Sequence, residues 1–271
     1  MSSETNVLGS DLGTVIASAL GSGTGTAYVV DPTPAMLRAL IETGVSADRS
    51  EPVRVLAGRG ALKPVADEFT TATAAAELVD HGAIELRVGS AEAGNALVVT
   101  DERVVAVVDV AGRAAGLTTD DDGFVGAAAE THQARFDAAD PFRLRTPGLS
   151  TIRSSLHSEL GEAVQSDFDA VFESLEADDG PDLDAVVVSL LVAARNDVLL
   201  YDVSKWGEDV GIASKATFSR TKTELEECGA IETEKVPIDV GRPRLRLQLG
   251  DERLRTAAPE RLAAVAAELV G

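Results

Sequence analysis

The stretch "GIASKATFSRTKTELEECGAI", Gly211 to Ile231, decides how the rest of the chain is read. Phe218, Thr221, Leu225 and Cys228 lie at offsets of zero, three, seven and ten, the spacing that stripes one face of a helix. Ser214 stands at the N-cap position of that helix and Gly229 at its C′ position. Ser219, Arg220 and Thr223 face roughly the other way, with Lys215 and Lys222 on the shoulder. Short hydroxyls beside long cations suit a duplex, because both bond phosphate oxygens and reach base edges in the major groove. Beyond Thr223 the helix turns acidic at Glu224, Glu226 and Glu227, the half that would lie away from DNA.

The surrounding charge makes that patch unusual. The 271 residues hold 45 acidic and 24 basic side chains, a formal net charge of −21, which argues against a generic basic nucleic-acid binder. Residues 1–204 carry 13 basic against 33 acidic residues, whereas residues 205–249 carry eight of each. Four of the five lysines (Lys205, Lys215, Lys222, Lys235) fall in that neutral block. A sign asymmetry of this kind marks the less acidic part as the contact surface. High acid with little lysine is also the composition of a protein kept soluble in strong salt, so a halophilic archaeal cytoplasm is expected. No signal peptide opens the sequence and no apolar run is long enough to span a bilayer; neither a membrane nor a cofactor is expected.

Working outward, "LDAVVVSLLVAARN" is an apolar helix and "VLLY" a short strand. Asp202 is placed to cap a second helix, "VSKWGEDV", which Gly211 ends. After the opening stretch, "IETEKVPIDVGRPRLRLQL" gives two strands around a turn at Asp239–Gly241. Helix, strand, helix, turn, helix, hairpin is the order of a winged helix-turn-helix, with recognition helix 214–228 and wing 237–244. Arg242 sits at the wing tip, where it reaches a minor groove or a phosphate; Arg244 and Arg246 alternate with core-facing leucines and pair either with DNA or with Glu232 and Glu234. Lys205 is placed to touch phosphate, and Trp206 reads as core.

The preceding segment repeats Ile152, Leu156, Leu160, Val164, Phe168 and Phe172 at every fourth residue. Two readings fit: a helix packed on its own domain, and a dimerisation helix. Gly161, followed by a cap at Ser166, divides it into two helices. "EADDGPD" (176–182) reads as a linker and "APERLAAVAAELVG" as a terminal helix.

The N-terminal half alternates strands and helices: "TVIASAL" helical, "TAYVVD" a buried strand, "AMLRALIETG" a helix opened by Pro34 and closed by Gly44, then strand "VRVLAG", one long helix "KPVADEFTTATAAAELVDHG", strand "AIELRVG" and a hairpin in "NALVVTDERVVAVVDV". That pattern implies an α/β layer domain with a partly parallel sheet, closing near Pro147. The expected division is residues 1–148 as an α/β sensor or dimerisation domain, 149–180 as a helical connector, 181–250 as the winged helix-turn-helix and 251–271 as a C-terminal helix. Arg59, between a strand end and a helix start, and Lys63 are the first candidates for holding a small anionic metabolite, against the simpler reading of a plain β–α turn.

Residues 199–247, above all "WGEDVGIASKATFSR", resemble the winged helix of the TbsP family of haloarchaeal transcriptional regulators, and the likeness extends over nearly the whole chain. That domain is similar to those of TrmB-like regulators, with the domain order reversed. The resemblance implies a DNA-binding transcription factor in metabolic gene control, with Lys215, Thr217, Ser219 and Arg220 on the recognition helix and Arg242 on the wing. Residues 95–147 resemble TrmB-like sensor domains of phospholipase-D-like fold, whose catalytic members place a histidine and a lysine two residues apart. Here Asn95 and Leu97 hold those positions, so ligand sensing or dimerisation is expected in place of hydrolysis.

Enzyme signatures are weak. "GSGTGT" (21–26) precedes a strand and lacks the Lys-Ser/Thr of a phosphate-binding loop. His81, His132 and His157 are scattered without metal-ligand spacing, and Cys228 sits on the core stripe. The expected molecule is a dimeric, non-enzymatic regulator binding double-stranded DNA. The alternative is an adaptor whose winged helix binds a partner protein, and an acidic α/β enzyme ranks last.

Overall fold

A computed structural model describes residues 6–9, 11–21, 25–45, 49–89, 95–177, 181–237 and 243–270. The chain divides into two units, Met1–Asp67 with Ala74–Leu144, and Glu68–Thr73 with Arg145–Gly271.

In chain order the first part contains β1 (Val7–Gly9), α1 (Leu12–Leu20), β2 (Ala27–Val30), α2 (Pro34–Thr43), β3 (Val53–Ala57), α3 (Arg59–Asp67), α4 (Phe69–Asp80), β4 (Ile84–Val88), β5 (Ala96–Thr100), β6 (Val104–Val110), β7 (Arg113–Thr119), α5 (Asp122–Ala138) and β8 (Asp140–Pro141). The strands form one sheet in the order β1-β7-β6-β5-β2-β3-β4-β8. Only β2, β3 and β4 run parallel; the other pairings are antiparallel. Parallel strands joined through helices are covered on both faces, and all four residues of β2 are buried. Val29, Val55, Val98 and Val105 meet α1 and α2 on one face, while Tyr28, Leu56, Val99 and Val104 meet Val125 and Phe136 of α5 on the other. Helix α2 starts as its sequence dictates: Thr33 Oγ1 accepts the Met36 N–H at 3.1 Å, Pro34 fills the first turn, and Gly44 leaves it at φ 73°.

The single long helix expected from Lys63 onward is two helices broken at Glu68. Helix α3 starts at Arg59 and contains Pro64, which has no N–H to donate to the turn before it. Strand β7 and helix α5 also carry no strong apolar period in sequence and emerge only in three dimensions.

The second part continues with α6 (Leu149–Glu159), α7 (Glu162–Leu175), α8 (Ala185–Arg195), α9 (Leu200–Val210), α10 (Lys215–Glu227), β9 (Ile231–Val236), β10 (Arg244–Leu249), α11 (Glu252–Thr256) and α12 (Pro259–Val270). The four-residue stripe splits at Gly161, whose φ of 101° suits glycine. Helix α7 begins at Glu162, so Ser166 lies inside it and caps nothing. Ile152, Leu156, Val164, Phe168 and Phe172 are at most 4% exposed and lie in the core that also holds Trp206, Phe218, Leu247 and Leu262. That stripe is therefore closed off from any partner. The segments expected as connector, winged helix and terminal helix share this one core.

"VLLY" forms no strand: Leu199 makes a single bridge to Arg246, and Leu200 and Tyr201 already belong to α9. Asp202 sits in the first turn of α9 and not at its cap, because the helix already begins at Leu200; its carboxylate lies 3.6 Å from Arg244 Nη1. The hairpin runs in the register Arg244↔Val236, Arg246↔Glu234 and Gln248↔Glu232. Among the described residues no helix is long and apolar enough to cross a membrane.

Candidate nucleic-acid interface

The helix-turn-helix is fixed by two glycines. A Cβ at Gly207 would collide with the ring of Phe218, which is fully buried, so only glycine lets α9 and α10 approach this closely. Gly211 then turns the chain in the left-handed region at φ 91°, and the Ile212 N–H donates to Gly207 O at 2.8 Å. Trp206 is buried beneath, its Nε1–H donating to Ser155 Oγ at 2.9 Å. Helix α9 is thereby locked to α6, and the direction of α10 follows from it.

Helix α10 presents one face inward, with Phe218, Thr221 and Leu225 buried. Ser214 caps it, its Oγ accepting the Thr217 N–H at 3.2 Å and lying 3.0 Å from Thr217 Oγ1. Lys215, Ser219, Arg220 and Thr223 are exposed on the other side, and Thr217 is half-buried. Arg220 has 72% of its side chain in solvent and only a loose contact with Glu224 at 3.9 Å. Thr223 Oγ1 donates back to Ser219 O at 3.0 Å. Lys222 behaves differently: only 12% of its side chain is exposed, and Nζ donates to Glu226 Oε2 at 2.6 Å. Thr233 Oγ1 donates to the other oxygen of Glu226 at 2.7 Å, so Lys222 ties α10 to β9 and is drawn away from the open face.

On the hairpin, Arg244 lies 4.2 Å over the ring of Tyr201 and 3.6 Å from Asp202, while Arg246 pairs with Glu234 at 3.6 Å. Arg242 and the turn Asp239–Gly241 lie outside the described residues. Tyr201, 47% exposed and carrying an arginine on its face, belongs to this candidate surface, and the sequence reading missed it. Its signal was an aromatic side chain two residues after Leu199 in a segment read as a strand.

Lys205, Lys215, Arg220, Lys222, Arg244 and Arg246 each hold a carboxylate. Lys205 Nζ bonds Asp209 one turn on, and Lys215 Nζ reaches Glu208 Oε2 at 2.7 Å across the turn. Each hydrogen bond raises the lysine pKa and lowers that of its partner, Asp209 or Glu208. For Glu226, burial pushes the carboxyl up, but the bonds from Lys222 and Thr233 outweigh it and leave the group lowered. The exposed pairs sit in high dielectric, so each is weak and open to exchange. A phosphate arriving at Lys205 or Lys215 replaces one anionic oxygen with another.

In the first unit, Arg59 opens α3 and Lys63 lies one turn on; both are exposed. Residues 22–24, the middle of "GSGTGT", lie outside the described residues. Among the described residues no three His, Cys, Asp or Glu side chains gather as a metal site.

No match was found among curated proteins. Two solved structures show distant likeness. One is TrmBL2, described as an archaeal chromatin protein with a novel mode of DNA binding, at 15% identity and TM-score 0.37 over 52% of this chain and 57% of that one. The match thus spans little more than half the length of TrmBL2. The other is the phospholipase D family member Nuc from Salmonella typhimurium, at 16% identity and TM-score 0.34 over 51% of this chain and 98% of that one. Scores this low assign no role to any residue. Family models reach further: residues 4–147 match the N-terminal domain of TbsP-like transcriptional regulators, and residues 148–267 match their C-terminal helix-turn-helix domain. With both halves matched in order along the sequence, the chain belongs to the family of TbsP-like transcriptional regulators.

Proposed function

We propose that this regulator binds double-stranded DNA sequence-specifically, with α10 in the major groove and the β9–β10 wing on the adjacent backbone or minor groove. One observation carries the reading: α10 buries Phe218, Thr221 and Leu225 and leaves Ser219, Arg220 and Thr223 in solvent on its opposite face. Ser214, Lys215 and Thr217 at its N-terminus are the base- and phosphate-facing end, as recognition helices enter the groove N-terminus first. Lys205 and Arg244, with Arg242 on the wing, supply backbone contacts. Lys222 has a structural role and leaves the contact set. The function is regulatory and not enzymatic.

The acid-rich, lysine-poor composition supports a halophilic archaeal cytoplasm, and metabolic genes are the proposed targets. In molar salt the Debye length falls to roughly 3 Å, and affinity drops steeply with each phosphate contact. A single winged helix then holds DNA poorly, so a homodimer on paired half-sites fits these conditions.

Genome-wide occupancy mapping of the full chain in its host tests this. Discrete sites upstream of metabolic genes, with two half-sites about 10 bp or a multiple apart, are expected. Absence of enrichment at any promoter, with a partner protein recovered at α10, would instead support the adaptor reading.

A further inference from the structure

The outer face of the first unit's sheet is only partly covered. Helix α5 packs over β2 and β5, held by buried Val125 and Phe136 and by the Arg135–Asp31 pair at 3.1 Å. Beyond β5 the pairing register sets Leu97, Ala106 and Leu117 side by side as one row across β5, β6 and β7, with Val104 beside Thr119 in the next. Phe124, Ala127, Ala128, Thr131 and His132 of α5 form the facing wall, and the small side chains of Ala127 and Ala128 leave room between helix and sheet. The result is a cavity of about 610 Å³ with Asn95 at one edge.

Its volume falls in the range of small-molecule sites, about 300–1,000 Å³. A quarter of the chain is charged, yet among the described residues none of the side chains lining this cavity is Asp, Glu, Lys or Arg. An ion entering it would find no free charge to pair with, since Arg135, 3.4 Å from His132 Nδ1, is already committed to Asp31. Most of the wall is aliphatic or aromatic, and polar atoms come from His132, which is 8% exposed, and from Asn95, Thr118, Thr119 and Thr131. At the mouth, Leu117 and Phe124 stand 53% and 56% exposed, more apolar surface than a stable fold needs to leave there.

We propose that the cavity between α5 and β5–β6–β7 binds a small neutral molecule, mainly hydrocarbon, with one or two hydrogen-bonding groups such as a hydroxyl or carbonyl. The occupant is uncharged, unlike the anionic metabolite suggested by Arg59 and Lys63. The site stands on the first unit alone and holds whether or not the second unit binds DNA.

Nile red, a neutral apolar fluorophore with a single carbonyl, is the probe. Titrated into the full chain in concentrated KCl, it should give a saturable, blue-shifted emission at one dye per chain. Ala128→Trp fills the cavity and should lower dye affinity at least tenfold, and Leu117→Glu, at the exposed mouth, at least fivefold. Val79→Glu, at an exposed apolar residue outside the cavity lining, should leave it unchanged. Circular dichroism melts confirm that each variant folds, and Leu117→Glu carries the test should Ala128→Trp not fold. Equal dye binding by wild type and both variants overturns the proposal, as does no saturable binding. A chain that excludes dye, sediments as a dimer and dissociates on Leu117→Glu would also overturn it, placing a second copy over this face.

Discussion

Three arginines of the first unit and three exposed cations of α9 and α10 are held in contrasting ways. Arg87 lies 4.5 Å over the Phe136 ring, donates to Phe136 O at 3.0 Å and to Glu85 at 2.8 Å, and is 23% exposed. Arg54 donates to Tyr28 Oη at 3.0 Å, and Arg135 pairs with Asp31 where the two side chains are 22% and 12% exposed. Between them these guanidiniums use aromatic faces, backbone carbonyls and acids, which builds them into the fold. On α9 and α10, by contrast, Lys205, Lys215 and Arg220 each hold one exposed carboxylate, with side chains 45% or more in solvent. Such pairs add little stability and separate easily. The difference teaches where a charge works for the fold and where it is stored for a partner.

Four changes break or sharpen that contrast, the largest first. Arg220→Glu should lower affinity for an occupied promoter at least 100-fold by fluorescence anisotropy at native salt, while the melting temperature stays within error of wild type. Gly207→Ala forces the buried Phe218 ring aside and should cost about 2–3 kcal/mol in denaturant unfolding, with binding lost in proportion to the misplacement of α10. Arg87→Gln should cost about 2 kcal/mol of first-unit stability, through lost charged hydrogen bonds, and leave duplex affinity unchanged. Glu208→Gln releases Lys215 and should raise duplex affinity two- to threefold, most visibly on non-target DNA, with the salt slope steeper by a fraction of one ion.

Acid should loosen the Lys215–Glu208 and Lys205–Asp209 pairs. Glu208 and Asp209 have folded pKa values below their ordinary ones. Their contribution to stability is therefore present above the ordinary carboxylate range, about pH 4, and is lost as pH falls through the lowered folded values. A fall in melting temperature below about pH 4 that is slightly smaller in the Glu208→Gln, Asp209→Asn double variant is the expected signature, since Glu226 and Asp251 are lowered too and remain.

Helix α10 was legible because burial leaves a period: Phe218, Thr221 and Leu225 went inward as their spacing requires, and Ser214 capped the helix. The hairpin register put Arg246 opposite Glu234, one of the pairings read from alternation. Where short-range pattern competes with a tertiary partner, sequence reading failed. Asp202 looks like a cap in sequence, but α9 already begins at Leu200, and the carboxylate lies against Arg244, which arrives from β10 more than forty residues later. Lys222 looks like a shoulder cation on a helical wheel, but Glu226 and Thr233 pull it in. Helix α5, rich in alanine and glycine, buries only Val125, His132 and Phe136, too sparse a signal to mark a helix or the cavity beneath it. The tip of the wing, Arg242, lies outside the described residues.

The central claim, that the exposed face of α10 lies in the major groove, is tested most directly by tethered cleavage. Cys228 is the chain's single cysteine, so Ser219→Cys in a Cys228→Ala background gives one thiol on that face for an iron–EDTA reagent. Strand cuts confined to a few nucleotides within each half-site, offset as major-groove attack requires, are the expected result. Cutting spread evenly along the duplex, no sharper than from the same reagent on Val79→Cys, would contradict it.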